Sequence, residues 1–155
     1  MARDPLQVLV LLFRRLDKIT EYALLQRADD GVWHGVAGGA EGGETAVEAA
    51  VRETREEAGV IGPLYRLDCV DSVPARLFAA RPDWGPACFV VKQHYFAMDL
   101  TGAPEITLSN EHWELRWLSY PDAYQRLHYD GNRTALEELN ERILTGWLNE
   151  DRRVL

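Results

Sequence analysis

The chain predicts a layered α/β or α+β fold in one domain over residues 1–155. Three observations carry that reading. Apolar runs of strand length recur along the chain and are interspersed with two amphipathic helical patterns. A glycine-rich segment runs directly into the first of those helices. No internal repeat, low-complexity tract or linker interrupts the sequence, and 155 residues suffice to bury a core.

The elements follow in order. Residues 6–13 form an apolar run broken only by Gln7, too short to span a bilayer and bounded by Arg14-Arg15, so they read as a buried strand. No small-residue cleavage pattern follows it, which argues against a signal peptide. Residues 14–21 read as a polar link and 22–27 as a second strand, closed by the turn Asp29-Asp30-Gly31. A short strand over 33–37 feeds a glycine loop, and a helix spans 45–58. Thr45 and Glu48 form a capping box at its start, and Gly59 terminates it. Gly62-Pro63 separates the helix from a strand at 64–71.

The stretch 73–86 is rich in Pro and Gly and reads as a loop with room for a short ordered piece. Residues 89–99 are the next strand, cut by Gly102-Ala103-Pro104. In 112–118 the alternation of Trp113, Leu115 and Trp117 predicts another. Pro121 suits the first position of a short helix over 121–126. The last helix, 132–147, carries the stripe Leu136, Leu139, Ile143 and Trp147, with Asn132 as its cap.

The chemistry concentrates in the helix at 45–58. Glu53, Glu56 and Glu57 stand at i, i+3 and i+4, so three carboxylates share one face, while Ala46, Val47, Ala50, Val51, Thr54 and Ala58 point the other way. As an isolated helix this is a solvated amphipathic surface with Glu48–Arg52 and Arg52–Glu56 pairs. Crowded like charges also suit a hard divalent cation such as Mg²⁺, which binds through oxygen and keeps waters and phosphates in its shell.

Composition narrows the partners. The net charge is −8, which argues against duplex nucleic acid, since that affinity rests on Lys and Arg. A polyphosphate substrate is compatible, because bound metal inverts the local potential. Cys69 and Cys88 are the only cysteines and both have apolar neighbours, as for buried thiols in a reducing, cytoplasmic setting rather than a disulfide framework. No membrane association is expected, and monomer and homodimer are equally compatible.

The string from Gly38 to Val60 resembles the signature of the Nudix hydrolases. Gly38, Glu44, Arg52, Glu53, Glu56, Glu57, Gly59 and Val60 fall in register over 23 residues, and Thr54 replaces the usual aliphatic residue. The resemblance implies a Nudix-type α/β/α sandwich with a mixed central sheet. It also implies a pyrophosphohydrolase dependent on Mg²⁺, for which Mn²⁺ would substitute. Splitting a phosphoanhydride requires neutralised phosphate charge, an aimed water and a base. The resemblance assigns Glu53, Glu56 and Glu57 as metal ligands, with a backbone carbonyl at Ala37 or Gly38. Arg52 would hold Glu53 or Glu56 in place, and Glu44 would support it. The base stays open between Glu53 and Glu111, and Glu111 is also a candidate metal ligand beside His112.

Substrate contacts are expected from Arg27, Trp33, Gly38, Gly39 and Arg133. Phe78, Trp84 and Tyr95 are further candidates for stacking, against the simpler role of packing. Within the family, the segment 24–27, Asp68-Cys69, Glu111-His112, Trp117-Leu118 and Asn132-Arg133 resemble the dihydroneopterin triphosphate diphosphatases. The expected ligand is thus a small-molecule nucleotide or pterin polyphosphate. Nucleotide sugars, ADP-ribose and dinucleoside polyphosphates are alternative substrates, and a non-catalytic nucleotide sensor is a third reading.

Overall fold

The computed structural model describes residues 2–155. Its centre is β1 (Arg3–Leu16), whose residues alternate between two cores. Val8, Val10 and Leu12 face one layer, and Leu9, Leu11 and Phe13 face the other. Burial on both sides explains why this strand reads as a nearly continuous apolar run rather than an alternating one. β2 (Ile19–Arg27) returns antiparallel through a tight turn with Asp17 at φ 55°, in the left-handed region. The expected polar link at 14–21 is therefore a hairpin, in which Arg14 faces Glu21 and Arg15 faces Thr20. Polar side chains on a solvated hairpin end concealed the strands.

Two strands then divide the edge of β1. β2 pairs with residues 12–16, while β4 (Val36–Glu41) pairs antiparallel with residues 3–10. β3 (Trp33–His34) pairs with β2, so the chain passes from β2 to β1 within a few residues. Gly35 is the crossing point. A Cβ there would lie 2.5 Å from the Val10 carbonyl oxygen, so only glycine permits the approach. Gly38 and Gly39, expected in a loop, are ladder residues of β4; the turn comes after them, at Gly42-Gly43.

The other edge of β1 pairs parallel with β6 (Val90–Asp99), and β5 (Leu64–Pro74) pairs antiparallel with β6. β7 (His112–Leu118) adds to β2. The result is a mixed seven-stranded sheet. On one face packs α1 (Ala46–Ala58), capped by Thr45 and ended by Gly59 at φ 67°. On the other pack α2 (Tyr120–Arg126) and α3 (Asp130–Thr145). This is the α/β/α sandwich.

Within residues 73–86 lie two 3₁₀ turns, Ala75–Leu77 and Arg81–Trp84. α3 begins earlier than its pattern suggested, with Tyr129 as N-cap. Asn132 is inside the helix and buried, and its side-chain oxygen accepts from the Tyr95 hydroxyl at 3.0 Å. Gly146 closes the helix in the left-handed region, which leaves Trp147 outside it and 65% exposed. Its place on the apolar stripe was a coincidence of spacing. Both cysteines are free, and burial pushes the Cys69 thiol up to about 11. No helix among the described residues is long and apolar enough to cross a membrane.

Candidate active site

Arg52 organises the acidic face of α1. Its guanidinium donates to both oxygens of Glu44 (2.9 and 3.0 Å), to Glu53 Oε1 (2.9 Å), to Glu56 Oε2 (3.2 Å) and to the Gly39 carbonyl (2.8 Å). Glu44 also accepts from the Glu41 backbone N–H at 2.8 Å. One arginine thus ties the helix to β4 and the turn that follows it. The Glu44 hydrogen bonds hold that carboxyl below the usual range and push the Arg52 guanidinium up.

Glu53 lies directly on Gly38. A Cβ at that glycine would fall 2.1 Å from the Glu53 carboxyl carbon, so the side chain occupies the space that any other residue would fill. Burial raises the Glu53 pKa, Arg52 opposes the rise, and the charges of Glu56 and Glu111 add to it. Glu57 is 5% exposed, and its Oε2 accepts from the Ala37 N–H at 3.3 Å. Burial first, then the charge of Glu53, push it up to about 8; Glu111 and Glu56 contribute too. Glu53, Glu57 and Glu111 therefore share one electrostatic neighbourhood, although Glu111 comes from the far side of the sequence.

Glu57 and Glu111 line a cleft of about 510 Å³, together with Ala37, Gly38, His34, His112 and the Arg27–Asp29 corner. Arg3, Gln7, Leu77 and Phe78 form its remaining wall. Arg27 is held by Asp29 through two hydrogen bonds of 3.0 and 2.7 Å. Arg3 lies against Gly39, over the Phe78 ring, and its carbonyl accepts the Trp84 indole N–H at 2.7 Å.

Several expected residues are not in this cleft. Arg133 donates to the Tyr124 carbonyl and to Asp130 on the α2–α3 side. Trp33 packs on the second core beneath Arg126. Gly39 is covered by Arg3, and Tyr95 is fully buried. Conversely, Arg3, Gln7 and His34 line the cleft without a sequence signal. The Ala75–Leu77 turn that brings Phe78 to it sits in a stretch of chain with no periodicity.

The donor chemistry fits a hard divalent ion. Glu53 Oε2 and Glu57 Oε1 enter no hydrogen bond among the described residues and neither is sealed from solvent, so each keeps lone pairs free for a cation. Glu56 is mostly exposed. Among the described residues, no three acidic or imidazole side chains are already gathered tightly enough to enclose an ion.

A mixed sheet between helices here carries acids beside a cleft, on the helix that follows a glycine-containing strand, an arrangement suited to holding a cation against a polyphosphate. The NUDIX domain family model matches residues 4–139, and the chain belongs to the Nudix hydrolase family. It is 32% identical over 141 residues to the dihydroneopterin triphosphate diphosphatase of Escherichia coli K12, spanning 88% of this chain and 92% of the relative. It is 31% identical over 137 residues to the asymmetrical bis(5'-nucleosyl)-tetraphosphatase of Mus musculus, spanning 83% and 88%. A crystal structure of a protein assigned as a NUDIX hydrolase from Listeria monocytogenes superposes with a TM-score of 0.82 at 41% identity, covering 92% of this chain and 97% of that one. The family works with divalent metal ions.

Proposed function

We propose that this enzyme is Mg²⁺-dependent and cleaves a nucleoside-triphosphate-like substrate, the favoured candidate being dihydroneopterin triphosphate, to the monophosphate and pyrophosphate. The observation that carries the reading is that Glu57 and Glu111 line a cleft that also presents Arg3 and Arg27, with Glu53 seated behind its wall against Gly38. The likeness to the E. coli diphosphatase over most of both chains supports the pterin substrate.

The residues divide the work as follows. Glu53, Glu56 and Glu57 are the carboxylates that would hold the ion, with the Ala37 carbonyl beside them. Once bound, the ion neutralises charge on the phosphates. Arg52 fixes the directions of Glu53 and Glu56 without entering the cleft, so it is a positioning residue. Glu111 lines the cleft, whereas Arg52 holds one Glu53 oxygen and Glu53 lies behind Gly38. We therefore assign Glu111 as the base that takes the proton of the attacking water. Arg27 and Gly38 face the substrate.

A second reading, hydrolysis of dinucleoside polyphosphates, is favoured by the likeness to the mouse tetraphosphatase. Phosphorus NMR of reactions in oxygen-18 water separates the two. Labelled monophosphate or pyrophosphate from dihydroneopterin triphosphate, with slow turnover of diadenosine tetraphosphate, is expected. Faster cleavage of the tetraphosphate would install the second reading. No cleavage of either with Mg²⁺ or Mn²⁺ would remove both.

A further inference from the structure

His34 ends β3 and His112 opens β7, and both strands pair with β2. The two imidazoles meet on the cleft wall, each 7% exposed. Their Nε2 atoms are 3.1 Å apart, the ring centres 5.3 Å apart and the planes 30° from parallel. The centre separation exceeds the nitrogen separation by about two ring radii. The nitrogens therefore point at each other along the line of centres, as in an N–H···N hydrogen bond, and the rings are not stacked face on face.

That contact holds one proton. Two N–H groups would collide and two lone pairs would repel, so one ring donates and the other accepts. His112 Nδ1 decides which. It is sealed from solvent and has no hydrogen-bond partner among the described residues. Among buried backbone groups an orphaned N–H is rarer than an under-satisfied acceptor, and we apply the same order to the ring nitrogens. His112 Nδ1 is therefore bare, its proton sits on Nε2 and is donated to His34 Nε2, and the His34 proton is left on Nδ1. His34 Nδ1 is not among the sealed atoms, and His34 lines the cleft. Burial, and then the closeness of the His112 ring, hold the His34 imidazole well below its ordinary range, and burial lowers that of His112 against the opposing charge of Glu111.

We infer that His34 Nδ1–H is a fixed, uncharged donor that reads the heterocycle of the substrate, with the Asp29 carboxylate as the neighbouring acceptor. His112 is the residue that sets its tautomer. A donor beside an acceptor matches the lactam edge, a ring carbonyl next to a ring N–H, found in pterins and in guanine. An adenine edge presents an amino group where His34 needs an acceptor, and leaves donor facing donor. A phosphate would call instead for a cation, which this pair is built not to be. The inference rests on the phosphoanhydride reading of the cleft and specifies the substrate class for it.

Two measurements test it. Long-range proton–nitrogen NMR of the imidazoles at pH 7.5 should show His34 protonated on Nδ1 and His112 on Nε2. The reverse pattern, or a charged ring, overturns the assignment. Calorimetry with Mg²⁺ should show guanosine 5'-monophosphate binding about tenfold more tightly than adenosine 5'-monophosphate. In His34→Leu that ratio should fall close to one. If this variant does not fold, His112→Leu, which frees the His34 tautomer, should lower the ratio several-fold. Equal affinities in the wild type, or no binding of either nucleotide, overturn the inference. Failure of the hydrolase reading would show separately, as absence of triphosphate cleavage, and leaves the NMR pattern and the binding ratio readable.

Discussion

Two charge clusters on opposite faces of the sheet are built to opposite ends. On the α3 face, Asp68 pairs with Arg142 (2.8 Å) and Arg152, while Glu138 accepts from Arg142 (2.8 Å) and from the backbone N–H groups of Asp68 and Cys69 (2.7 and 2.8 Å). Those two N–H groups belong to the irregular part of β5 between Arg66 and Val70, where the ladder skips. The cluster therefore repairs a bulge and fastens the Glu150–Arg152 turn. Its acids and arginines balance. On the α1 face, Glu44, Glu53 and Glu56 share Arg52 alone, and Glu57 has only a backbone N–H. Balanced charge closes a structure, and unbalanced charge at a cleft leaves binding energy unspent until a cation arrives.

The sharpest way to break this contrast is Glu57→Gln, which keeps shape and removes charge. Turnover should fall by about 10²–10³-fold, as for loss of a group that stabilises developing charge. Stability should move the other way, with a definite pH dependence. Glu57 has its pKa raised from 4.5 to about 8 in the folded protein. Between those values the native state keeps a proton that the unfolded chain has released, so this group lowers stability as pH rises through the window. Without metal, the variant and wild type should melt together below about pH 4, and the variant should be the more stable at pH 9, by roughly 1–3 kcal/mol. A less stable variant at pH 9 would show that Glu57 is structurally satisfied.

Arg52→Lys tests the frame around the acids. Lysine keeps the charge but loses the fork that reaches Glu44 and Gly39 together. Turnover should drop by about 10–100-fold, the usual effect of a lost supporting contact at a metal site. Unfolding free energy should fall by about 1–3 kcal/mol. Unchanged kinetics alongside reduced stability would confine Arg52 to folding. The smallest functional effect belongs to Arg142→Met on the other face. It should cost about 1–2 kcal/mol in denaturant melts and leave kcat and KM within twofold. A marked rate loss there would couple the two clusters and undo the contrast.

The legibility of each part follows from the range of its physics. α1 was readable because its cap, apolar face and glycine stop are local, and its acids lie within one turn. The buried strands were readable from apolar runs. The Arg14–Glu21 hairpin was hidden by polar side chains, and the ladder role of Gly38 and Gly39 by a composition that normally marks a loop. The cleft was half visible. Glu57 and Glu111 announce themselves beside the glycine strand, whereas His34 meets His112 only because β3 and β7 both pair with β2, 78 residues apart in the chain. Arg133 and Trp33 failed as cleft residues because a residue type suited to ligands is equally suited to covering a helix end or a core edge.

The crossing at Gly35 places the imidazole floor and the glycine seat of Glu53 on one continuous piece of backbone. A one-residue insertion between positions 34 and 38 would turn the β4 side chains to the opposite face of the sheet and displace the glycine seat, while His34 and His112, both held on β2, would keep their place. Relatives that change their preferred base are therefore expected to do so by substitution at positions 34, 112 or 29 with the length of this segment held constant.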